Sequence, residues 1–463
     1  MRIILSVPLT LNEIAKNALS THILKGNATV SAIATNSKKV CPGDLFIPLM
    51  GEKHNGEDYT DEARSRGAYI ISSRDCNADI KTDDTMLSLL KIASYYKSKL
   101  SSLKKIIAIT GSVGKTTTKN VLAKMISSKY ITHATEKNYN NYIGLSFTLL
   151  SAPANTEIII AEMGMNHLGE ISLMSKILNP DISVITNIGT SHIGNLGSRE
   201  RIAEAKLEIT DGMKTINLLV PYEEALLKNI AGAHTFSIDH PNADCYIQIT
   251  EETSSYTLFN IQSNLINLKN LKINIPGKQV IKALSISVKV MELIGIDEND
   301  IANSVKFIDL SCLRGKIIKI NDFYAYDDTY SSSAEALLCD FELLNLYKNK
   351  PKSCVLGDML ELGRHTENIH TKIGYEVYKF GFRNLYTIGP LATKIAEGAI
   401  NAGMSKENVF INENPDAIDI TANQILKNKI KDEIILFKAS HNIHAERIID
   451  LLLKHTDKNG ERN

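Results

Sequence analysis

The chain has 463 residues, with 52 Lys+Arg against 52 Asp+Glu, so its formal net charge is zero. At roughly 150 residues per domain, that length predicts three domains. The charge balance excludes a nucleic-acid partner, because neutralising many phosphates takes a net basic surface, and a 43% hydrophobic, 22% charged composition excludes disorder.

Residues 1–102 read as a small α/β domain. Asp44–Leu49 predicts a strand after the turn Cys41-Pro42-Gly43, Ala68–Ser72 a second strand, and Thr85–Leu100 a helix, from apolar residues at 86, 89, 90, 93 and 96. A second domain, 103–312, opens with the buried-strand composition of Lys105–Thr110. Further apolar strands are predicted at Glu157–Ala161, Asp181–Thr186 and Asn217–Val220, with helices at Gly169–Leu178 and Ser198–Met213 between them. Strands alternating with helices imply a parallel sheet. From about 244 to 275 the pattern alternates with period two and predicts an antiparallel addition, followed by a helix over Gln279–Leu293. A third domain, 313–463, alternates again: strand Phe323–Tyr326, helix Glu335–Leu346, strand Ser353–Leu356, then three βα units ending at Ile434–Phe437 and Ala445–Leu453. That pattern predicts a doubly wound, Rossmann-like sheet.

The six cysteines, Cys41, Cys76, Cys245, Cys312, Cys339 and Cys354, form no CxxC pair and read as reduced, mostly buried thiols. No run approaches the ~18 apolar residues of a membrane helix, and residues 1–11 lack a signal-peptide pattern. The expectation is a soluble, cytoplasmic monomer with no integral membrane segment. The chain carries 41 Lys, 11 Arg and 39 Asn. A lysine can therefore stand where a related chain uses arginine, and the two are not equivalent where a planar fork is needed.

The strongest chemical signal is Thr110-Gly111-Ser112-Val113-Gly114-Lys115-Thr116, between a buried strand and a helix. Glycines admit backbone N–H groups to a polyphosphate, the helix N-terminus favours the anion, Lys115 reaches the β/γ-phosphates and Thr116 ligates Mg²⁺. Ile109 stands where the strict pattern has a first glycine, so this P-loop is a shortened variant. The loop says nucleotide without saying which reaction. Four clusters downstream bear on that: Asn138–Asn141 with Gly144; Glu162-Met163-Gly164; Thr186–Gly189 with His192; and Lys206. Glu162 and His192 suit cation coordination. Taken singly, each has a bland reading: a strand-end carboxylate, a structural histidine, a solvated lysine, Asn turn formers.

In order and spacing, TGSVGKTT, NYNNYIG, EMGMNHLGEI and TNIGTSHIGNLGSRERIAEAKLEI together resemble the Mur ligase family. Two more segments, Val355–Gly363 with His370 and Met50–Gly56, are similar to the member that joins D-alanyl-D-alanine to UDP-N-acetylmuramoyl-tripeptide. The resemblance implies an ATP-dependent amide ligase of peptidoglycan assembly working through an acyl phosphate. It implies that the loop 110–116, Asn141 and Asp328 bind ATP, that Thr116 and Glu162 hold one Mg²⁺ and His192 a second, and that Lys206 is carbamylated and serves both cations. The resemblance further implies that Arg314 reaches the γ-phosphate from the third domain, which binds the incoming dipeptide. Lys115, Lys206, His192 and Arg314 are thereby the catalytic group. The resemblance also implies that Ser37 and Lys38 hold the UDP end, in a Thr35-Asn36-Ser37-Lys38 segment where the family reads Asp-Ser-Arg.

Three segments depart from the family pattern. Gln279-Val280 follow Pro276-Gly277-Lys278 in place of His-Asn, Ser331–Ala334 replaces Asn-Ala-Asn-Pro, and Lys438-Ala439-Ser440 replaces Lys-Gly-Ser. They place the adenine contact in question. Alternative readings are a sibling ligase that adds a single amino acid, a folylpolyglutamate synthetase, and a nucleotide-binding pseudoenzyme.

Overall fold

The computed structural model describes residues 1–460 apart from 25, 52, 53 and 75–77, so Cys76, Glu52 and Lys53 lie outside the described residues. Three sheets follow one another along the chain. The first has β1 (Arg2–Thr10), β2 (Thr29–Ala34), β3 (Leu45–Phe46), β4 (Tyr69–Ser72) and β5 (Ile80–Lys81), paired in that order. β1 is antiparallel to β2 and the other pairs are parallel. β1 was not anticipated from sequence, because Pro8 removes a ladder donor. The structure accommodates it in a register shift between Ile4 and Leu9, where no partner is needed. Conversely, the strand expected over 44–49 shortens to Leu45–Phe46. The Asp44 carboxylate turns back to the Arg2 guanidinium at 2.7 and 3.0 Å and to the Cys41 N–H at 2.8 Å.

The central sheet has β6 (Lys105–Thr110), β7 (Thr132–Ala134), β8 (Ile158–Glu162), β9 (Ile182–Ile185), β10 (Leu218–Pro221), β11 (Ala233–Ser237), β12 (Cys245–Glu252), β13 (Thr257–Ser263) and β14 (Asn267–Ile273). Their order is β14-β13-β12-β11-β10-β9-β6-β8-β7. It is parallel from β7 through β12, and β13 and β14 add the antiparallel edge. β6 lies in the middle with Ile107, Ala108 and Ile109 fully buried, which its unbroken apolar run requires. The helix expected over 198–213 ends at Leu207 and tightens into a 3₁₀ turn at Glu208–Thr210.

The third sheet has β15 (Lys316–Ile320), β16 (Phe323–Asp327), β17 (Lys352–Gly357), β18 (Leu385–Ile388), β19 (Val409–Asn412) and β20 (Ile434–Lys438), in the order β15-β16-β20-β17-β18-β19. Only β15 runs antiparallel.

The helix Thr85–Ser98 ties the first sheet to the second. Asp84 caps its N-terminus. Near its other end, Lys97 donates to the carbonyls of Ile177 and Leu178 at 2.9 and 2.6 Å. Those carbonyls end the helix Glu170–Leu178, where a cation is favoured. Three of the five described cysteines are buried, and all five are free thiols. Among the described residues, no helix is long and apolar enough to cross a membrane.

Candidate active site

The C-terminal ends of β6, β8 and β9 meet at one edge, where open α/β sheets take their ligands. A cavity of about 400 Å³ opens there, between the central and third sheets. Its lining includes Ser112–Thr117, Asn140, His192, Gln279, Arg314, Asp328, Glu361 and Lys438.

The loop after β6 is braced from outside by the segment that follows β9. Gly111 has φ +148°, and a side chain there would meet the Thr186 hydroxyl. Gly114, at φ +83°, opens the helix Lys115–Ile126. The Asn187 amide oxygen accepts from both the Ser112 and Val113 N–H groups, at 3.0 and 2.9 Å. The Thr186 hydroxyl donates to the Val113 carbonyl at 2.6 Å, and the Gly189 N–H donates to the Ser112 hydroxyl at 2.9 Å. Thr110 does not line the cavity. It is fully buried, and its hydroxyl donates to the Met163 carbonyl at 2.8 Å, so it anchors the strand end beneath the loop.

Lys115 folds over the loop, donating to the Gly111 and Ser112 carbonyls at 2.6 and 3.3 Å. Burial pulls its ammonium down to about 8, against the raising influence of Glu162 and with that of Arg314. The Thr116 hydroxyl donates to the fully buried Glu162 carboxylate at 2.8 Å and accepts from Arg314, which arrives from beyond residue 312. Arg314 also lies over the Tyr330 ring, 4.8 Å from its centroid.

Asn140, not Asn141, faces this site. The Asn140 amide donates to Glu162 at 3.0 Å. The Asn141 oxygen is spent on the Gly144 N–H at 2.8 Å, capping the helix Tyr142–Leu150. An Asn-rich run does not reveal which side chain caps and which faces inward; the cap geometry decides it.

His192 sits at φ +64° and pairs through Nδ1 with the carboxylate of Glu361, on the third sheet's side of the cavity. That pairing holds the Glu361 carboxyl below the usual range. Lys206 is not a solvated lysine. It is 2% exposed. Burial, reinforced by Lys115, pushes its ammonium well below the usual lysine value, and Glu335 opposes them.

The donor set fits one Mg²⁺: a hydroxyl and a carboxylate in contact, both hard oxygen ligands, with phosphate and water left to complete the shell. Among the described residues no three His, Cys, Asp or Glu gather as a protein-only cation cage.

Asp328 lines the cavity and engages Lys438, which also meets Asp340 at 3.0 Å. Lys438 is buried; burial alone lowers it, but Asp340 and Asp328 outweigh that and raise it. Removing the cation leaves two clustered carboxylates without compensation. Lys438→Met is therefore expected to cost about 3 kcal/mol of stability in urea unfolding. A change below about 0.5 kcal/mol, the range of ordinary surface substitutions, would show that the cluster is not held by charge.

The departing segments have local explanations. The Gln279 side chain meets the Cys339 thiol at the cavity wall. Ser333 caps the helix Ala334–Asn345, and Ser331 accepts from Arg314 at 3.5 Å. Ala439 points into the sheet, against Gly357, so the methyl group does not narrow the cavity. Ser37 and Lys38 lie apart from the cavity lining, on a short turn of the first unit. Ser37 is buried and donates to Glu62 at 2.6 Å, and Lys38 is exposed.

Fold and loop together define a phosphate-loop protein of three α/β units. A family model described as the Mur ligase middle domain matches residues 109–291, and one described as Mur ligase family, catalytic domain, matches residues 29–94. The UDP-N-acetylmuramoyl-tripeptide--D-alanyl-D-alanine ligase of Bacillus subtilis (strain 168) is 33% identical over 439 residues, covering 92% of this chain and 93% of the relative. A crystal structure of MurF from Acinetobacter baumannii superposes with a TM-score of 0.87 at 25% identity, covering 98% of this chain and 100% of that one. MurF from Thermotoga maritima in complex with ADP gives a TM-score of 0.79 at 26% identity, covering 92% and 98%. The chain belongs to the Mur ligase family.

Proposed function

We propose that the protein is an ATP-dependent ligase that joins D-alanyl-D-alanine to UDP-N-acetylmuramoyl-tripeptide, in peptidoglycan precursor synthesis. The observation that carries the ligase chemistry is the convergence of Lys115, Thr116 and Glu162 from the central unit with Arg314 from the third, at one cavity. The likeness to relatives named for this reaction, over nearly the whole chain, supports the substrate pair. The likeness to a family structure holding ADP supports ATP as the nucleotide.

A carboxylate is a poor electrophile at neutral pH. In this reading a substrate carboxylate oxygen attacks the γ-phosphorus and ADP leaves. The dipeptide amine then attacks the acyl carbon, and inorganic phosphate departs as the amide forms. Such chemistry rests on positioning and on neutralising phosphate charge. Lys115 and the N–H groups at the start of the helix Lys115–Ile126 hold the phosphates, and Arg314 meets the transferring group from across the cavity. Thr116 and Glu162 would hold one Mg²⁺, which supplies charge neutralisation when bound. A second Mg²⁺ at His192 and a carbamate on Lys206 belong to the same reading. Burial supports the carbamate, because it favours the neutral amine that CO₂ requires. Residues 1–102 hold the UDP end through Ser37 and Lys38, residues 103–312 hold ATP, with Asp328 contributing from the third unit, and residues 313–463 take the dipeptide.

The direct test incubates the full chain with ATP, Mg²⁺, UDP-N-acetylmuramoyl-tripeptide and D-alanyl-D-alanine. ADP release is measured together with the mass of the pentapeptide product. Parallel reactions use the dipeptide precursor with a single amino acid. Product only in the parallel reactions would assign the sibling activity, and no turnover in any would sink the ligase reading.

A further inference from the structure

Glu335 matches none of the segments that carry the family resemblance, yet the structure inserts it into the central unit. It stands in the first turn of the helix Ala334–Asn345. Its Oε1 accepts from the Thr190 N–H at 2.6 Å. Gly189 is caught between two groups: a side chain there would come within 2.7 Å of the Glu335 carboxylate and 3.0 Å of the Ser112 Cβ. The Gly189 N–H in turn holds the Ser112 hydroxyl of the phosphate loop. Glu335 Oε2 is buried without a hydrogen-bond partner. Its charge is countered by the buried Lys206 ammonium, and among the described residues the Thr190 N–H is the one hydrogen bond that fixes the carboxylate's position.

We propose that Glu335 is a positioning residue. By docking on Gly189–Thr190, it couples the seating of the third unit to the geometry of the phosphate loop. The path is short and continuous: Glu335, the Gly189–Thr190 backbone, Ser112. The same segment presents Asn187 to the Ser112 and Val113 N–H groups. A third unit that is not seated leaves this segment without its outer support. The inference rests on the ligase reading for its kinetic arm and on geometry alone for its structural arm.

Two variants test it on the full chain. Glu335→Ala removes the acceptor. It is expected to lower kcat about tenfold, the equivalent of one charge-assisted hydrogen bond, with KM for ATP and Tm close to wild type. Glu335→Gln keeps an oxygen that accepts from Thr190 and is expected to recover most of that loss. Small-angle X-ray scattering with ADP and Mg²⁺ should give a larger radius of gyration for Glu335→Ala than for wild type. Unchanged kcat in Glu335→Ala, equal loss in both variants, or equal radii would each overturn the proposal. If wild type itself shows no turnover, the ligase reading fails and the scattering comparison still decides the coupling.

Discussion

Lys115→Ala should abolish turnover while leaving the fold intact. Lys115 makes its hydrogen bonds to two carbonyls of its own loop, so its removal breaks no contact between units. Its charge is another matter. It sits in a cavity with Glu162 and Arg314, in surroundings that already make an ammonium costly. A cation held there against that cost serves a polyanion, and the same surroundings strengthen its attraction to phosphate. Loss of a preorganised phosphate-binding cation of this type is worth about a thousandfold or more in rate. Lys115→Arg should not restore it, because a planar fork cannot occupy the space of a compact ammonium under the loop. ADP release by a coupled assay measures the rate, and far-ultraviolet circular dichroism with Tm checks the fold. Turnover within tenfold of wild type would remove Lys115 from the phosphate site.

Lys206→Ala should be nearly inactive and partly rescued by small carboxylates such as formate or acetate. The lysine is enclosed and beside Lys115, so an unmodified ammonium there faces burial and a like charge, which the Glu335 carboxylate only opposes. Converting the amine to a carbamate reverses the sign, so that Lys115 attracts the resulting anion and Glu335 repels it. Truncation to alanine leaves room where a free carboxylate can replace the missing anion. Rates measured across a concentration series, with chloride at equal ionic strength as control, separate rescue from a general salt effect. Activity equal to wild type in Lys206→Ala would leave the residue a buried lysine with no part in the reaction.

The catalytic loop and the alternation around it were legible because both are local patterns. β6 was predicted at its observed bounds and a helix was expected after the loop, since a continuous apolar run and a glycine-rich turn need no distant partner. The antiparallel addition was legible for the same reason, from period-two alternation. β1 was not, because a strand containing a proline is accepted only where its partner allows a register shift. Asn140 and Asn141 were indistinguishable as residues, and only the helix cap separates them.

By itself, the sequence determined the class of chemistry: a phosphate loop, an acidic strand end, a lysine and an arginine in a recurring order. Such groups are selected by residue type and spacing. The tertiary structure decided which of them meet. Arg314 lies 198 residues from Thr116, yet their side chains are in contact. Lys206 is buried rather than solvated, and Glu335 closes on Gly189–Thr190 from a helix of the third unit. These relations depend on how two separate sheets pack across a cavity, and no periodicity within either segment encodes that distance.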